Sequence, residues 1–216
     1  MKLFKDLPSL NWDNFEETSQ ITINICKEMA NKKILTQAIR KVETDPELFD
    51  LCEEHELDDK IVIYNNLEKG YRIRLRLGNG DQYERAHNHR FPFTTLILHG
   101  TYYQAWYGVK GQFNKNTKLK DITKLCARVE GKGAYFSISD SAVHSTQTDL
   151  NTISLVICGP PKKDKTNIIH METGEAWSKW GKKFETKDQI KKAKMSKERF
   201  LFWKKKLIEY DLIDAS

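Results

Sequence analysis

The spacing of apolar residues divides the chain into a helical beginning, a long β-like middle and a helical end. In residues 1–57, apolar positions recur at helical intervals, on one face that carries Phe15, Ile21, Ile25 and Met29. The step from Asp45 to Pro46 is typical of a helix start, since Asp caps the first turn and Pro fits its first position. The pattern changes at Tyr64, and from there to Pro160 it indicates strands.

The clearest strand is "YRIRLRLGNG", in which apolar and basic residues alternate strictly before a turn. Its two faces carry Tyr71, Ile73, Leu75 and Leu77 on one side and Arg72, Arg74 and Arg76 on the other. Further segments rich in aromatic and β-branched residues are "FPFTTLILHG", "TYYQAWYG", "AYFSI" and "NTISLVICGPP". So many short strands predict a sandwich or a barrel, with "GQFNKNTKLKD" as a polar connection.

The length of 216 residues suits a single domain. We expect this domain to contain a helical part in residues 1–57, a β-barrel in residues 60–175 and a helical extension in residues 176–216. A final amphipathic helix is predicted over about residues 187–210, with the apolar anchors Ile190, Phe200, Phe202, Trp203 and Leu207.

Charge and composition narrow the range of binding partners that we expect. The net charge of +6 is concentrated near the C-terminus, where acidic residues interrupt the basic ones and no nucleic-acid motif is present. This favours a solvated helical face over a nucleic-acid partner. No apolar run reaches the roughly 18 residues of a membrane span, and no signal-peptide pattern is seen, so we expect a cytoplasmic protein. Reduced thiols are expected at Cys26, Cys52, Cys126 and Cys158.

Two histidines stand two residues apart in "ERAHNHRFPFTTLILHGTYY", before an apolar run that ends at Gly100. In a strand such residues point to the same side, so His87 and His89 can offer two nitrogens to one ion. Imidazole suits iron, zinc, copper and nickel. A third ligand must come from elsewhere, and the remaining histidines are His55, His99, His144 and His170.

Two motifs resemble those of the cupin superfamily. "HNHRFPFTTLILHG" is similar to the first cupin motif, with Phe93 at the position that is usually acidic, and "GAYFSISDSAVH" is similar to the second. The resemblance implies a mainly β cupin barrel (a double-stranded β-helix, or jelly roll) with N-terminal helices and a C-terminal helix. It also implies the ligands His87, His89 and His144 without a carboxylate, as in the three-histidine branch that includes cysteine dioxygenase.

The likeness to cysteine dioxygenase extends over about residues 40–175 but breaks at its substrate groups. Phe93 and Cys158 stand where the best-known members carry a Cys crosslinked to a Tyr. Val156 stands where that family has a histidine, and "YNNL" lacks the carboxylate-binding arginine. The fold and the metal therefore carry over in this resemblance, whereas cysteine as the substrate does not.

Several side chains near these motifs are candidates for contact with a substrate. Arg72, Arg74 and Arg76 form an arginine stripe on one face of their strand. This stripe faces either solvent or the barrel interior, where it could bind a carboxylate through two hydrogen bonds. The cost of burying three arginines favours solvent. Arg90 contacts either a substrate or a salt-bridge partner. The alternation of side chains along the next strand does not say which of its tyrosines approaches the metal. The candidates are Arg74, Arg76, Arg90, Phe93, Tyr103 and Cys158. The sequence assigns no catalytic residue.

The favoured function is a mononuclear non-haem Fe(II) oxygenase. Its partners would be O₂ and a small polar molecule, such as an amino acid, a thiol or an N-hydroxylated amine. One alternative is a cupin isomerase, lyase or hydrolase that uses Zn, Ni or Mn as a Lewis acid. Another is a non-catalytic cupin that binds a metal or a ligand. The sequence indicates neither the substrate's identity nor the oligomeric state.

Overall fold

The computed structural model describes residues 7–81 and 83–215. Three helices come first: α1 (Phe15–Met29), α2 (Lys32–Thr44) and α3 (Pro46–Phe49). Ten strands follow in the described part of the chain: β1 (Asp58–Asn66), β2 (Tyr71–Asp81), β3 (Arg85–His87), β4 (Phe93–His99), β5 (Tyr102–Val109), β6 (Ile122–Glu130), β7 (Tyr135–Ile138), β8 (Val143–Cys158), β9 (Lys165–His170) and β10 (Ala176–Trp180). Helices α4 (Lys187–Lys192) and α5 (Lys197–Glu209) complete the chain. The predicted mainly β fold with helices at both ends is confirmed.

Side-chain caps set the starts of the first three helices. Asn14 accepts a hydrogen bond from the backbone N–H of Glu17 at the start of α1. Asn31 does the same at the start of α2, with Lys33 and Ile34 as donors. Asp45 begins α3 ahead of a proline at the first helical position, as the sequence predicted.

Strand β8 organises the sheet. Its 16 residues pair antiparallel with β2, β3, β4 and β5. The C-terminal half of β8 lies between β2 and β4, while its N-terminal half meets β3 and β5. The strands thereby wrap around an interior cavity that side chains from β1, β2, β3, β4, β5, β7, β8, β9 and β10 line.

The apolar face of β2 forms the main core with the helices. Tyr71, Ile73, Leu75 and Leu77 are at most 1% exposed and belong to one cluster with Leu35 and Ile39 of α2 and with Phe200, Trp203 and Leu207 of α5. Burying each such side chain contributes about 1.5–3 kcal/mol. Because this face is covered by helices, the arginine face of the same strand must turn toward the barrel interior.

Gly100 joins β4 to β5 where two chains come close. Its φ is +80°, a left-handed conformation, and a Cβ atom there would lie 2.8 Å from the Cα of Thr152 in β8. A larger residue would strain this turn and push β8 away. The glycine that ends the apolar run is therefore required by backbone packing.

The C-terminal region differs from the prediction of one continuous helix. Helices α4 and α5 are separate, since Ser196 caps α5 by accepting from the N–H of Arg199, and buried Met195 bonds through its N–H to the carbonyl of Cys52. Residues 176–180 form strand β10 rather than part of a helical extension. Of the predicted anchors, Phe200, Trp203 and Leu207 are buried, whereas Phe202 is 39% exposed and Ile190 is half-buried.

Strands β1, β6, β9 and β10 were not identified in the sequence. Strand β6 pairs with β5 alone among the described strands, and most of its residues are exposed, so it lacks the alternation that marks a half-buried strand. Strand β1 is buried through its middle and shows no alternation there. The alternation of apolar and polar residues therefore did not identify β6, because most of its residues are exposed, or β1, because its middle is buried on both faces.

Two expectations concern thiols and membranes. Cys26, Cys52, Cys126 and Cys158 are free thiols, as predicted, and Cys126 is the exposed one. Within the described ranges, none of the helices combines the length and the apolar character that a transmembrane span requires.

The carboxylate of Asp59 ties the C-terminal helix to the barrel. Its side chain is 0% exposed and accepts hydrogen bonds from Arg199 Nε and Trp203 Nε1, both at 2.6 Å.

We expect Asp59→Asn to lower the free energy of unfolding by about 3 kcal/mol. The substitution removes the charge that pairs with the guanidinium of Arg199, and the new amide N–H group would face the N–H groups of Arg199 and Trp203. Urea unfolding measures this, and Glu198→Gln on the exposed side of α5 is the control. Equal stability of Asp59→Asn and the control would contradict the prediction.

Candidate metal centre

Three histidines from separate parts of the barrel meet at its interior. His87 ends β3, His89 lies two residues beyond, and His144 sits near the start of β8, directly opposite His87 in the strand pairing. Their ring centroids are 4.7, 4.7 and 4.9 Å apart. One nitrogen from each ring lies within 4.8 Å of the other two. The long strand and the short one thus bring together residues 57 positions apart along the chain.

Hydrogen bonds fix the orientation of two of these rings. His87 Nδ1 is 2.9 Å from the carbonyl oxygen of Arg85, which can only accept, so Nδ1 carries the proton. His144 Nδ1 likewise donates to Gln104 Oε1 at 2.8 Å. In both rings Nε2 is therefore left with its lone pair, which is the form that binds a metal.

A second link holds Gln104 in place. Its side-chain Nε2 donates to Glu130 Oε2 at 3.0 Å, which sets the amide so that Oε1 faces His144. The sequence reading missed both residues. Gln104 lies on the same face of β5 as Tyr102 and Trp106, but alternation within the strand does not say which face meets the histidines, so the sequence carried no local signal for either residue.

Burial keeps the three imidazoles neutral. It lowers the pKa of His87, His89 and His144, and for His89 and His144 the shift is large. Repulsion between the rings adds to the effect on His89 and His144, and Arg76 adds to it at His87 and His144. The Nε2 atoms of His89 and His144 are only 2.7 Å apart. At this distance one neutral ring donates to the other, and since Nε2 of His144 holds a lone pair, Nε2 of His89 carries the proton that a shared cation would replace.

The histidines open into a cavity of about 290 Å³. One part of its wall is apolar and includes Phe91, Phe93, Phe136, Val156 and Ile168. Another part is charged and includes Asp58, Lys60, Arg74, Arg76, Asp81, Arg85 and Lys179. Such a space suits a small molecule with one polar end and one apolar end.

The arginine stripe faces this cavity, and the expectation of a solvent-facing strand surface was wrong. Arg74 and Arg76 line the wall, because the opposite face of β2 is covered by the helices. Arg76 is fixed by Asp58 Oδ2 at 3.1 Å and by the hydroxyl of Tyr102 at 2.8 Å. Arg72 lies at the end of the stripe, where its Nε donates to Asn65 at 3.0 Å.

Phe93 stands beside the histidines. Its ring centroid is 4.6 Å from that of His89, in an edge-to-face arrangement, and its side chain lines the cavity. A group that cannot bind a metal therefore lies beside His89. The wall next to the histidines is consequently apolar.

Three of the candidate substrate-binding residues lie outside the cavity wall. Tyr103 is 44% exposed and points outward, while its neighbour Tyr102 faces the cavity, because alternate residues of β5 face opposite ways. Arg90 packs between Phe91 and Gly181. Cys158 is buried in an apolar cluster with Phe93 and Ile138.

The other three histidines have separate environments. His99 stacks on Tyr210 at a centroid distance of 3.7 Å. His170 accepts from two backbone N–H groups in the turn after β9, and His55 Nε2 contacts Glu53 at 3.2 Å. They lie apart from the cluster formed by the three cavity histidines.

Comparison with known proteins gives only distant structural similarity. No family model matches this chain, and no curated protein is significantly similar to it. A solved RmlC-like cupin from Shewanella frigidimarina is 13% identical over 52% of this chain and 86% of that chain, with a TM-score of 0.36. KdgF from Halomonas sp. is 9% identical over 52% and 88%, with a TM-score of 0.37.

A third solved structure is an enzyme that is named for its reaction. Hydroquinone 1,2-dioxygenase from Sphingomonas sp. TTNP3 is 9% identical over 50% of this chain and 69% of that chain, with a TM-score of 0.37. Identities and TM-scores this low carry no argument about chemistry. The likeness to cysteine dioxygenase stays a prediction.

The lowered pKa values predict how stability depends on pH in metal-free protein. Below about pH 6.5 the unfolded imidazoles take up protons that the folded ones do not, so stability falls as the pH falls. Each of these histidines contributes about 1.4 kcal/mol per pH unit until its folded pKa is reached. Urea unfolding of chelator-treated protein at about pH 7.5 and about pH 5.5 measures the slope. We expect His89→Gln to reduce this slope, whereas identical wild-type stability at the two pH values would contradict the account.

Proposed function

We propose that this chain is a metal-dependent enzyme of the mononuclear non-haem Fe(II) oxygenase type, which binds its metal through His87, His89 and His144. The observation that carries the proposal is the convergence of three neutral imidazoles on the barrel cavity, two of them with Nε2 left unprotonated because Nδ1 donates a hydrogen bond. Nitrogen donors of this type suit iron, and also zinc, nickel and copper.

The neutral ligand set decides what a bound ion offers. The cluster found in the described part of the chain contains histidines without a carboxylate. A divalent ion held there would keep its full charge and would supply open positions at which a substrate and O₂ are oriented together. Arg85 and Gln104 hold the orientation of two ligands, and such partners raise metal affinity.

The cavity wall favours a small substrate with a polar end. Amino acids, thiols and N-hydroxylated amines all fit a space of about 290 Å³. Phe93, Phe136 and Val156 exclude water from one side, which strengthens the electrostatic interactions within the site. Val156 and Cys158 offer no histidine or tyrosine to a bound cysteine, so we expect free cysteine to be a poor substrate.

Metal content tests the proposal. We expect about one divalent ion per chain, at about 2.1 Å from three nitrogens, and its loss in His87→Ala, His89→Ala and His144→Ala. Gln104→Leu should weaken binding by about 10–100-fold, because it frees the ring of His144. Elemental analysis after dialysis against iron measures occupancy, and His99→Ala is the control. Full metal in His144→Ala with loss in His99→Ala would contradict the ligand set.

Oxygen uptake separates the oxygenase from a zinc, nickel or manganese enzyme of the isomerase, lyase or hydrolase type, and from a non-catalytic binding protein. Iron-loaded protein is mixed with a panel of amino acids, thiols and N-hydroxylated amines, and consumption of O₂ is recorded with an electrode. We expect one chemical class to stimulate uptake. Iron binding without uptake for any class would count against the oxygenase.

Phe93 should control access to the metal. In Phe93→Glu the new carboxylate can become a fourth ligand, so we expect metal binding to persist or tighten while O₂ uptake falls, because an open position is filled. Phe93→Leu is the control and should keep both properties. Metal content and uptake are measured on the same preparations, and a folded, metal-loaded Phe93→Glu with undiminished uptake would contradict the role of an open position.

A further inference from the structure

Arg74 differs from the other arginines of its strand, because its buried Nε–H group donates to no residue that the structure describes. Its Nε atom is buried without a hydrogen bond within the described part of the chain. Arg72 and Arg76 on the same face both donate through Nε, to Asn65 and Asp58 respectively. An unsatisfied buried donor costs free energy, so its presence beside a cavity calls for a reason.

The carboxylates near Arg74 are engaged elsewhere. Asp58 pairs with Arg76 at 3.1 Å, and Asp81 pairs with Arg85 at 3.4 Å. Lys60 is held by Glu53 at 3.3 Å. Five cationic and two carboxylate side chains line the cavity, so its wall has an excess of positive charge, and none of the salt bridges between described residues involves Arg74.

The apolar side of the cavity lies close to this guanidinium. Arg74 Cζ is 5.8 Å from the centroid of Phe91, a distance at which the ring attracts a cation and holds its position. Phe93 and Phe136 continue the aromatic wall toward the histidines. A ligand that fills this space meets a cation at one part of its surface and aromatic rings at another.

We propose, building on the proposed function, that Arg74 binds a carboxylate of the substrate and that the substrate class is small carboxylic acids with an apolar body. The guanidinium supplies a planar fork of donors that matches a carboxylate in two parallel hydrogen bonds. The same fork also fits a phosphate, but phosphate sites typically add backbone N–H groups at a helix N-terminus or in a turn. The wall of this cavity is formed by strands and side chains.

Stability distinguishes a binding role for Arg74 from a structural one. A residue kept for a ligand is paired only when the ligand is present, so we expect Arg74→Gln and Arg74→Lys to unfold at the wild-type temperature or above it. Arg72→Gln is the matched control, since it removes an arginine from the same strand face together with its hydrogen bond to Asn65. A strongly lowered unfolding temperature in both Arg74 variants would show that Arg74 is structural and would overturn the proposal.

Ligand binding is measured by calorimetry with benzoate, its neutral isostere benzamide, and inorganic phosphate. Chelator-treated protein is used, so that a metal ion cannot bind the anion. We expect wild-type protein and Arg72→Gln to bind benzoate, and Arg74→Gln to bind it about tenfold or more weakly, with Arg74→Lys in between. Benzamide and phosphate should bind more weakly than benzoate.

Each remaining outcome decides against the proposal. Absence of benzoate binding by the wild type, equal binding by Arg74→Gln, or equal binding of benzamide would show that Arg74 does not recognise a carboxylate. Tighter binding of phosphate would change the ligand class. Elemental analysis of the same variants separates the two proposals: metal retained with no benzoate binding refutes only the carboxylate, while benzoate binding by a wild type that takes up no metal refutes only the metal enzyme.

Discussion

The pairing of strand β8 with four other strands is the interaction on which the candidate site depends. One half of β8 lies between β2 and β4, and the other half meets β3 and β5. This arrangement puts His144 opposite His87 and Gln104 within hydrogen-bonding distance of His144. Gly100 lets the turn between β4 and β5 lie close to Thr152 of the same strand. A displacement of β8 would therefore separate the histidines, remove the hydrogen bond that orients His144 and change the wall of the cavity at the same time.

Burial has opposite consequences on the two faces of β2. The apolar face contributes stability through its contacts with α2 and α5. The other face carries arginines into the barrel, where burial of charge costs free energy unless a partner is supplied. Asp58 and Tyr102 supply one for Arg76, whereas no described residue supplies one for the Nε of Arg74. The three histidines meet the same cost by staying neutral, which is the form in which they bind metal ions.

The sequence predicted the parts of the fold and site that follow from local pattern. Alternation identified β2, the HxH spacing placed His87 and His89 on one side, and the resemblance to the second cupin motif supplied His144. The direction of the arginine face was not predictable, because it depends on which face the distant helices cover. Gln104 and Glu130 escaped notice since a hydrogen bond between β5, β6 and β8 has no local signature. Tyr103 was chosen in place of Tyr102 because the parity of β5 relative to the site is set by its pairing with β8.

The most direct test of the account is a crystal structure of iron-loaded protein with anomalous diffraction recorded on both sides of the iron absorption edge. The account predicts one iron peak per chain, inside the cavity, at about 2.1 Å from Nε2 of His87, His89 and His144. An empty cavity after iron loading, or an ion bound elsewhere with the three rings still in contact with one another, would contradict it.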